Sequence, residues 1–248
     1  MSRSGTTFLG NLLTLDESRS IYLHEPVKLL LREKYRELPD NKELFWDYAF
    51  NEKLKCRKLH YLVFIVIREI LAKRVKSGQV FCIKPIAMYD LVSEVRETLN
   101  CHVVYIVRHP CGYIESLVRQ QGRKVDEPSK KLSNELFQAW GEEWSRQHND
   151  LLTKMKNDDE WKFIKFEDLC VNTARIMNDL YSSFDLGWSE EINLKIKEMT
   201  STNSDDYYGV QRMSQQEINK YADTLSDSDI EAIREGTLKH MTELYENF

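Results

Sequence analysis

His102-Val103-Val104-Tyr105-Ile106-Val107 runs straight into Arg108-His109-Pro110, and the change of character at Arg108 is abrupt. A short β-branched run closed by a polar turn is a strand buried on both faces. Proline suits the first position of a helix, because its φ is already fixed and its missing N–H would be unpaired there. The spacing therefore predicts a strand over 102–107 and a helix from Pro110, with Arg108 at the strand's C-terminal edge.

Three more runs read as strands: Ser20–His24, Gln79–Ile83 and Trp161–Lys165. Each is followed by a helix-like segment, and this alternation implies a largely parallel sheet covered on both faces. Helices are predicted over Thr7–Leu15, Asn41–Ala72, Asn134–Leu152 and Asp227–Tyr245. In the third, Phe137, Trp140, Trp144 and Leu151 form one apolar stripe, which makes the two tryptophans core residues. In the fourth, Ser226 is the expected N-cap, with Asp229 completing a capping box. No linker or repeat interrupts the 248 residues, so 1–248 is read as a single α/β domain.

Ligands of parallel α/β sheets sit beyond the C-terminal strand ends. Glu25, Lys84, Arg108 and the pair Glu167 and Asp168 occupy those positions. Glu167 and Asp168 are expected to cap the helix that follows them.

Two constellations carry chemistry. Arg3-Ser4-Gly5-Thr6-Thr7-Phe8 opens a helix, where unpaired backbone N–H groups and the positive dipole end make an anion site. Gly5 allows close backbone approach, Ser4, Thr6 and Thr7 add hydroxyls, and Arg3 adds a permanent charge. The motif is not a Walker A loop, since G-x-x-x-x-G-K-[ST] is absent, which argues against a small-molecule kinase using magnesium and ATP. The second constellation is Arg108 with Ser116, which lies about two helical turns after His109 and can share one phosphate with Arg108. Together the corners suit a nucleotide with two separated anionic groups. A loop of the first kind normally follows a central strand, yet only Met1 precedes Ser2. The expectation is a truncated first strand, because a gap in a parallel sheet would leave backbone groups unpaired. That oddity also keeps open an inactive nucleotide-binding module.

Five stretches, in order along nearly the whole chain, resemble the sulfotransferases that use 3′-phosphoadenosine 5′-phosphosulfate (PAPS). RSGTTFLGNLL resembles their 5′-phosphosulfate loop and YIVRHPCGYIESL their 3′-phosphate segment. IYLHEPVKLL, FIKFEDL and QRMSQQEINKYADTLSDSDIEAIREGT resemble the second-strand end, a later strand end and the C-terminal Arg-x-Ser segment. The chain looks closest to bacterial-type and carbohydrate sulfotransferases. The resemblance implies a P-loop NTPase-like three-layer fold and in-line transfer of a sulfuryl group from PAPS to a hydroxyl or amine. It implies that Arg3 stands at the leaving oxygen, that Ser4, Gly5, Thr6 and Thr7 hold the 5′-phosphosulfate, and that Arg108 and Ser116 hold the 3′-phosphate. Arg212 reaches the nucleotide or acceptor in one reading and solvent in another. Glu25 is the implied general base, with His24 as its rival. Fixed positive charge would take the place of a metal. Ile83-Lys84-Pro85 stands where relatives often carry Lys-Asp-Pro, and Cys111-Gly112 where carbohydrate enzymes often carry Arg-Ala, so the acceptor class does not transfer. A small molecule or a glycan is expected.

A net charge of −5 argues against a nucleic-acid partner. The longest apolar run, Leu59–Ile67, is too short to span a bilayer, and the first residues do not form a secretory leader. Five cysteines without a C-x-x-C pair read as free thiols in a reducing compartment. The expected location is cytoplasmic, or the Golgi lumen if a lost N-terminus carried an anchor.

Overall fold

The computed structural model describes residues 4–24, 79–84, 92, 96, 101–122, 132–155, 161–201, 217–238 and 245. In chain order its elements are helix α1 (Thr6–Leu13), strands β1 (Ser20–His24), β2 (Val80–Lys84) and β3 (Val103–Val107), and helices α2 (Pro110–Gly122) and α3 (Asn134–Met155). Strand β4 (Trp161–Lys165) and helices α4 (Phe166–Val171), α5 (Thr173–Ser183) and α6 (Glu190–Ser201) follow. A 3-10 turn (Lys220–Asp223) and helix α7 (Asp227–Gly236) complete the described chain. The helix predicted over Asn41–Ala72 lies outside the described residues.

The contacts divide the chain into two units, Leu13–Cys101 and the remainder. In the first, β1 and β2 pair in parallel, with Ser20 opposite Val80 and His24 opposite Lys84. In the second, β3 and β4 pair in parallel, with Val103 opposite Trp161 and Val107 opposite Lys165. Both described pairs are therefore parallel, as the strand and helix alternation requires.

The core of the second unit lies where α2, α3 and α7 meet. Cys111, Ile114, Phe137, Leu225, Ala232 and Ile233 are buried together there, with Trp140 packed on their edge. Trp144 is 1% exposed and joins Val107 in a neighbouring cluster, so both tryptophans are core residues as read. The helices α3 and α7 touch backbone to backbone. A Cβ on Gly236 would lie 2.0 Å from the Gln138 carbonyl oxygen, and one on Gly141 would lie 2.4 Å from that of Ile233.

Two helices end earlier than expected. α7 stops at Gly236 instead of running to Tyr245. Thr237 is extended (φ −81°, ψ 126°), and the Leu238 N–H donates to Ser145 Oγ on α3, which draws the chain off the helix axis. α1 stops at Leu13 because Asp16 closes a turn, its carboxylate accepting from the Ser18 N–H at 3.1 Å and its carbonyl from the Ser20 N–H at 2.8 Å. The Ser226 capping box is present, with Ser226 Oγ accepting from the Asp229 N–H.

Candidate functional site

The amino-terminal corner is built from the conformation of one residue. Gly5 has φ +80°, and its carbonyl accepts from the Leu9 N–H at 2.9 Å, so it caps α1 from the left-handed region. The first-turn N–H groups then have no intrahelical acceptor and sit at the positive end of the helix. Ser4 is 1% exposed, and its Oγ has no hydrogen-bond partner among the described residues. A buried hydroxyl beside helix N-terminal donors fits an anionic oxygen.

The second corner starts at the end of β3. Arg108 is 5% exposed, and neighbours on several elements hold its side chain. Its Cζ lies 4.8 Å from the centre of the Phe166 ring, and its Nη2 donates to the Glu217 carbonyl at 3.0 Å. Nε lies so close to Gly112 that a Cβ there would come within 2.9 Å of it. Its own carbonyl accepts from Trp144 Nε1 at 3.2 Å. Burial draws its pKa below the usual guanidinium value, against the opposing charges of Glu217, Glu167 and Glu115. Ser116, also buried, follows Gly112 by one helical turn and so shares the face of α2 on which the guanidinium rests.

Phe166 joins the corners. A Cβ on Gly5 would lie 2.4 Å from Phe166 Cδ2, so the loop rests its α-carbon on the same ring that the Arg108 guanidinium covers. Parallel register accounts for this meeting: Val107 is opposite Lys165, so the residues just after β3 face those just after β4.

Glu167 and Asp168 lie in the first turn of α4, as expected, and the same register gives Glu167 a further contact. Its helix α4 has Lys165 as N-cap with no side-chain cap, while Glu167 Oε1 accepts from the His109 N–H at 2.9 Å. Glu167 thus closes the start of α2 across the strand pair. His109 itself caps α2, its Nδ1 accepting from the Cys111 N–H at 3.2 Å, which leaves the proton on Nε2. Burial, reinforced by the Arg108 charge, lowers its pKa to about 4. Burial pushes the Glu167 carboxyl up, against hydrogen bonds and the Arg108 charge that favour the anion.

A family match decides what these corners belong to: the sulfotransferase family matches residues 1–190. The chain belongs to the sulfotransferase family. The reaction class of this sulfotransferase is sulfuryl transfer, as the sequence implied. No curated protein matches the sequence. Among solved structures, mouse sulfotransferase SULT7A1 complexed with PAP is similar, with a TM-score of 0.54 and 16% identity. The match covers 100% of this chain and 83% of that chain. That likeness carries the fold, which is the P-loop NTPase-like α/β architecture with parallel strands.

Of the residues singled out in the sulfotransferase sequence, Ser4, Gly5, Thr6, Thr7, Arg108 and Ser116 all lie in the larger unit. Arg3, Glu25 and Arg212 lie outside the described residues. His24 ends β1 opposite Lys84, which ends β2 and is 8% exposed. The reading of the sequence missed Phe166, Gly112 and Glu217. Gly112 carried a signal, because glycine is costly in a helix unless something approaches closely. Phe166 and Glu217 carried none, since their contacts are set by tertiary structure.

No helix among the described residues is long and apolar enough to cross a membrane. The four described cysteines, Cys82, Cys101, Cys111 and Cys170, are free.

Proposed function

We propose that this sulfotransferase binds PAPS across the two corners and passes its sulfuryl group to a hydroxyl or amine of a small-molecule or glycan acceptor. The observation that carries this is the shared ring: Gly5 and the Arg108 guanidinium both rest on Phe166. One nucleotide can therefore reach the 5′ loop and the 3′ clamp together. Ser4, Gly5, Thr6 and Thr7 hold the 5′-phosphosulfate, and Arg108 and Ser116 hold the 3′-phosphate. Arg3 stands at the bridging oxygen, where charge builds in the transition state. The acceptor atom forms a bond to sulfur as the bond from sulfur to the bridging oxygen breaks. Glu25 takes the acceptor's proton, His24 being the alternative, and adenosine 3′,5′-bisphosphate leaves. Arg212 contributes from the C-terminal segment. Residues 1–248 act as one sulfotransferase domain. Free cysteines support a reducing compartment, and so a cytoplasmic location.

Calorimetry with adenosine 3′,5′-bisphosphate and AMP tests the reading. The bisphosphate is expected to bind well above AMP, and Arg108→Ala to remove roughly 2 kcal/mol or more of that difference. Equal losses for both nucleotides in the variant would remove Arg108 from the 3′-phosphate. Magnesium-dependent ATP consumption would transfer the assignment to a kinase.

A further inference from the structure

Arg108 has a permanent charge wherever it points, but a planar donor fork grips a phosphate only in one orientation. Two of the contacts that orient it, Phe166 and Gly112, belong to the α/β frame. The third, the Glu217 carbonyl, comes from a distant part of the chain. The segment from Glu217 to Asp223 is itself anchored. The Tyr221 ring stacks on His109, with centroids 5.1 Å apart and planes 4° from parallel. His109 also meets the Tyr245 ring close to perpendicular, with centroids 4.9 Å apart. Glu217 is tied to the same 3-10 turn by its ion pair with Lys220 at 2.9 Å. His109 is the residue immediately after Arg108 and is fixed in place by Glu167 and by the Cys111 N–H. The carbonyl that orients the guanidinium and the ring that anchors the carbonyl are thus fastened to adjacent residues.

From this we infer that Tyr221 is a positioning residue for the donor nucleotide. Its stack on His109 holds the Glu217 carbonyl against Arg108, and so sets the orientation in which the 3′-phosphate is gripped. Tyr221 acts through the clip without touching the nucleotide. The role rests on the assignment of Arg108 to the 3′-phosphate, and deepens it. The geometry needs a flat ring that lies parallel to the imidazole, and the hydroxyl is not part of that stack.

The test measures the Kd of adenosine 3′,5′-bisphosphate and of AMP for wild type, Tyr221→Ala and Tyr221→Phe, with thermal melts to establish folding. Tyr221→Ala is expected to weaken the bisphosphate roughly five- to tenfold, the scale of a lost aromatic stack, and to leave AMP unchanged. Tyr221→Phe keeps the ring and is expected to match wild type. Under turnover the KM for PAPS should rise while kcat is largely kept. His109→Asn removes the stack from the other side while preserving a cap acceptor, and serves if Tyr221→Ala does not fold. Combined with Tyr221→Ala, it should add little further loss, since both remove one contact. Discrimination retained in Tyr221→Ala, equal weakening of both nucleotides, or a Tyr221→Phe variant as weak as Tyr221→Ala would each overturn the clip. Wild type that fails to tell the bisphosphate from AMP would instead overturn the Arg108 assignment, and the clip with it.

Discussion

At Gly5 a single hydrogen atom in place of a side chain decides whether the amino-terminal corner exists. The residue is in the left-handed region (φ +80°), and Phe166 fills the space that a Cβ would need. Two separate costs therefore meet in Gly5→Ala. The backbone conformation costs roughly 1–2 kcal/mol for an L-residue. The clash with the ring costs roughly another 1–3 kcal/mol or displaces the loop. We expect Gly5→Ala to lower kcat/KM for PAPS at least tenfold by steady-state kinetics. Gly5→Ala combined with Phe166→Leu should recover part of that loss, because the smaller side chain relieves the clash, while the φ strain and the lost ring under the Arg108 guanidinium remain. A double variant no better than the single one would show that the clash with Phe166 is not the larger of the two costs at Gly5. The Arg108 corner depends on the same kind of space at Gly112, where a Cβ would meet Nε. The anion loop and the Arg108 strand end were legible in the sequence because their signals are local: a glycine opening a helix, and an apolar strand running into a proline-started helix. Phe166 was not legible, since parallel pairing of β3 and β4 sets it beside Arg108, and no local pattern encodes a register.

Helices α3 and α7 show the same division at the next scale up. The start of α7 is written in the sequence: Ser226 and Asp229 have the residue types and spacing of a capping box, and the box forms. Its end is not. Asp227–Tyr245 keeps an amphipathic pattern, but the chain leaves the helix at Gly236, where α3 comes too close for any side chain. The obstructing atoms there are backbone carbonyl oxygens, which cannot rotate away as a side chain can. Gly236→Ala is therefore expected to destabilise the fold by about 1–3 kcal/mol, despite the gain of roughly 1 kcal/mol in helix propensity. Ser226→Ala should cost about 0.5–2 kcal/mol through the cap alone. Urea denaturation of both variants checks the pair, and a Gly236→Ala protein as stable as wild type would show that the two helices can separate freely. Gly141→Ala opens the same crossing from the other side. The double variant Gly141→Ala, Gly236→Ala should lose less than the sum of the two single losses, because helices already forced apart accept the second methyl more easily.

Across the whole molecule, two buried imidazoles link stability to pH. His148 is fully buried on α3, hydrogen-bonded through Nδ1 to the Tyr105 hydroxyl and packed against Trp144 with ring centroids 4.5 Å apart. Burial lowers its pKa to about 3, and that of His109 to about 4. In the unfolded chain both titrate near 6.5. The folded values lie below the unfolded ones, so the unfolded state takes up protons first as pH falls. Stability is then at its full value above about pH 6.5 and declines through the window between 6.5 and the folded values. At 1.36 kcal/mol per pKa unit, each imidazole represents a loss on the order of a few kcal/mol at the acid end. Glu167 works in the opposite sense. Its folded pKa is raised, so its contribution is present below its unfolded value and is lost as pH rises through the folded one. One carboxyl opposes two imidazoles, and the net slope follows the imidazoles. Urea unfolding at pH 8, 6.5 and 5 should give nearly equal free energies at the first two values and a clear drop at the third. His148→Gln, which does not titrate, should flatten the drop between 6.5 and 5 even if its stability at pH 8 is lower. A slope unchanged by that substitution would mean that His148 takes up its proton in the folded state as readily as in the unfolded chain, and that the pocket formed by Trp144 and Tyr105 does not exclude charge.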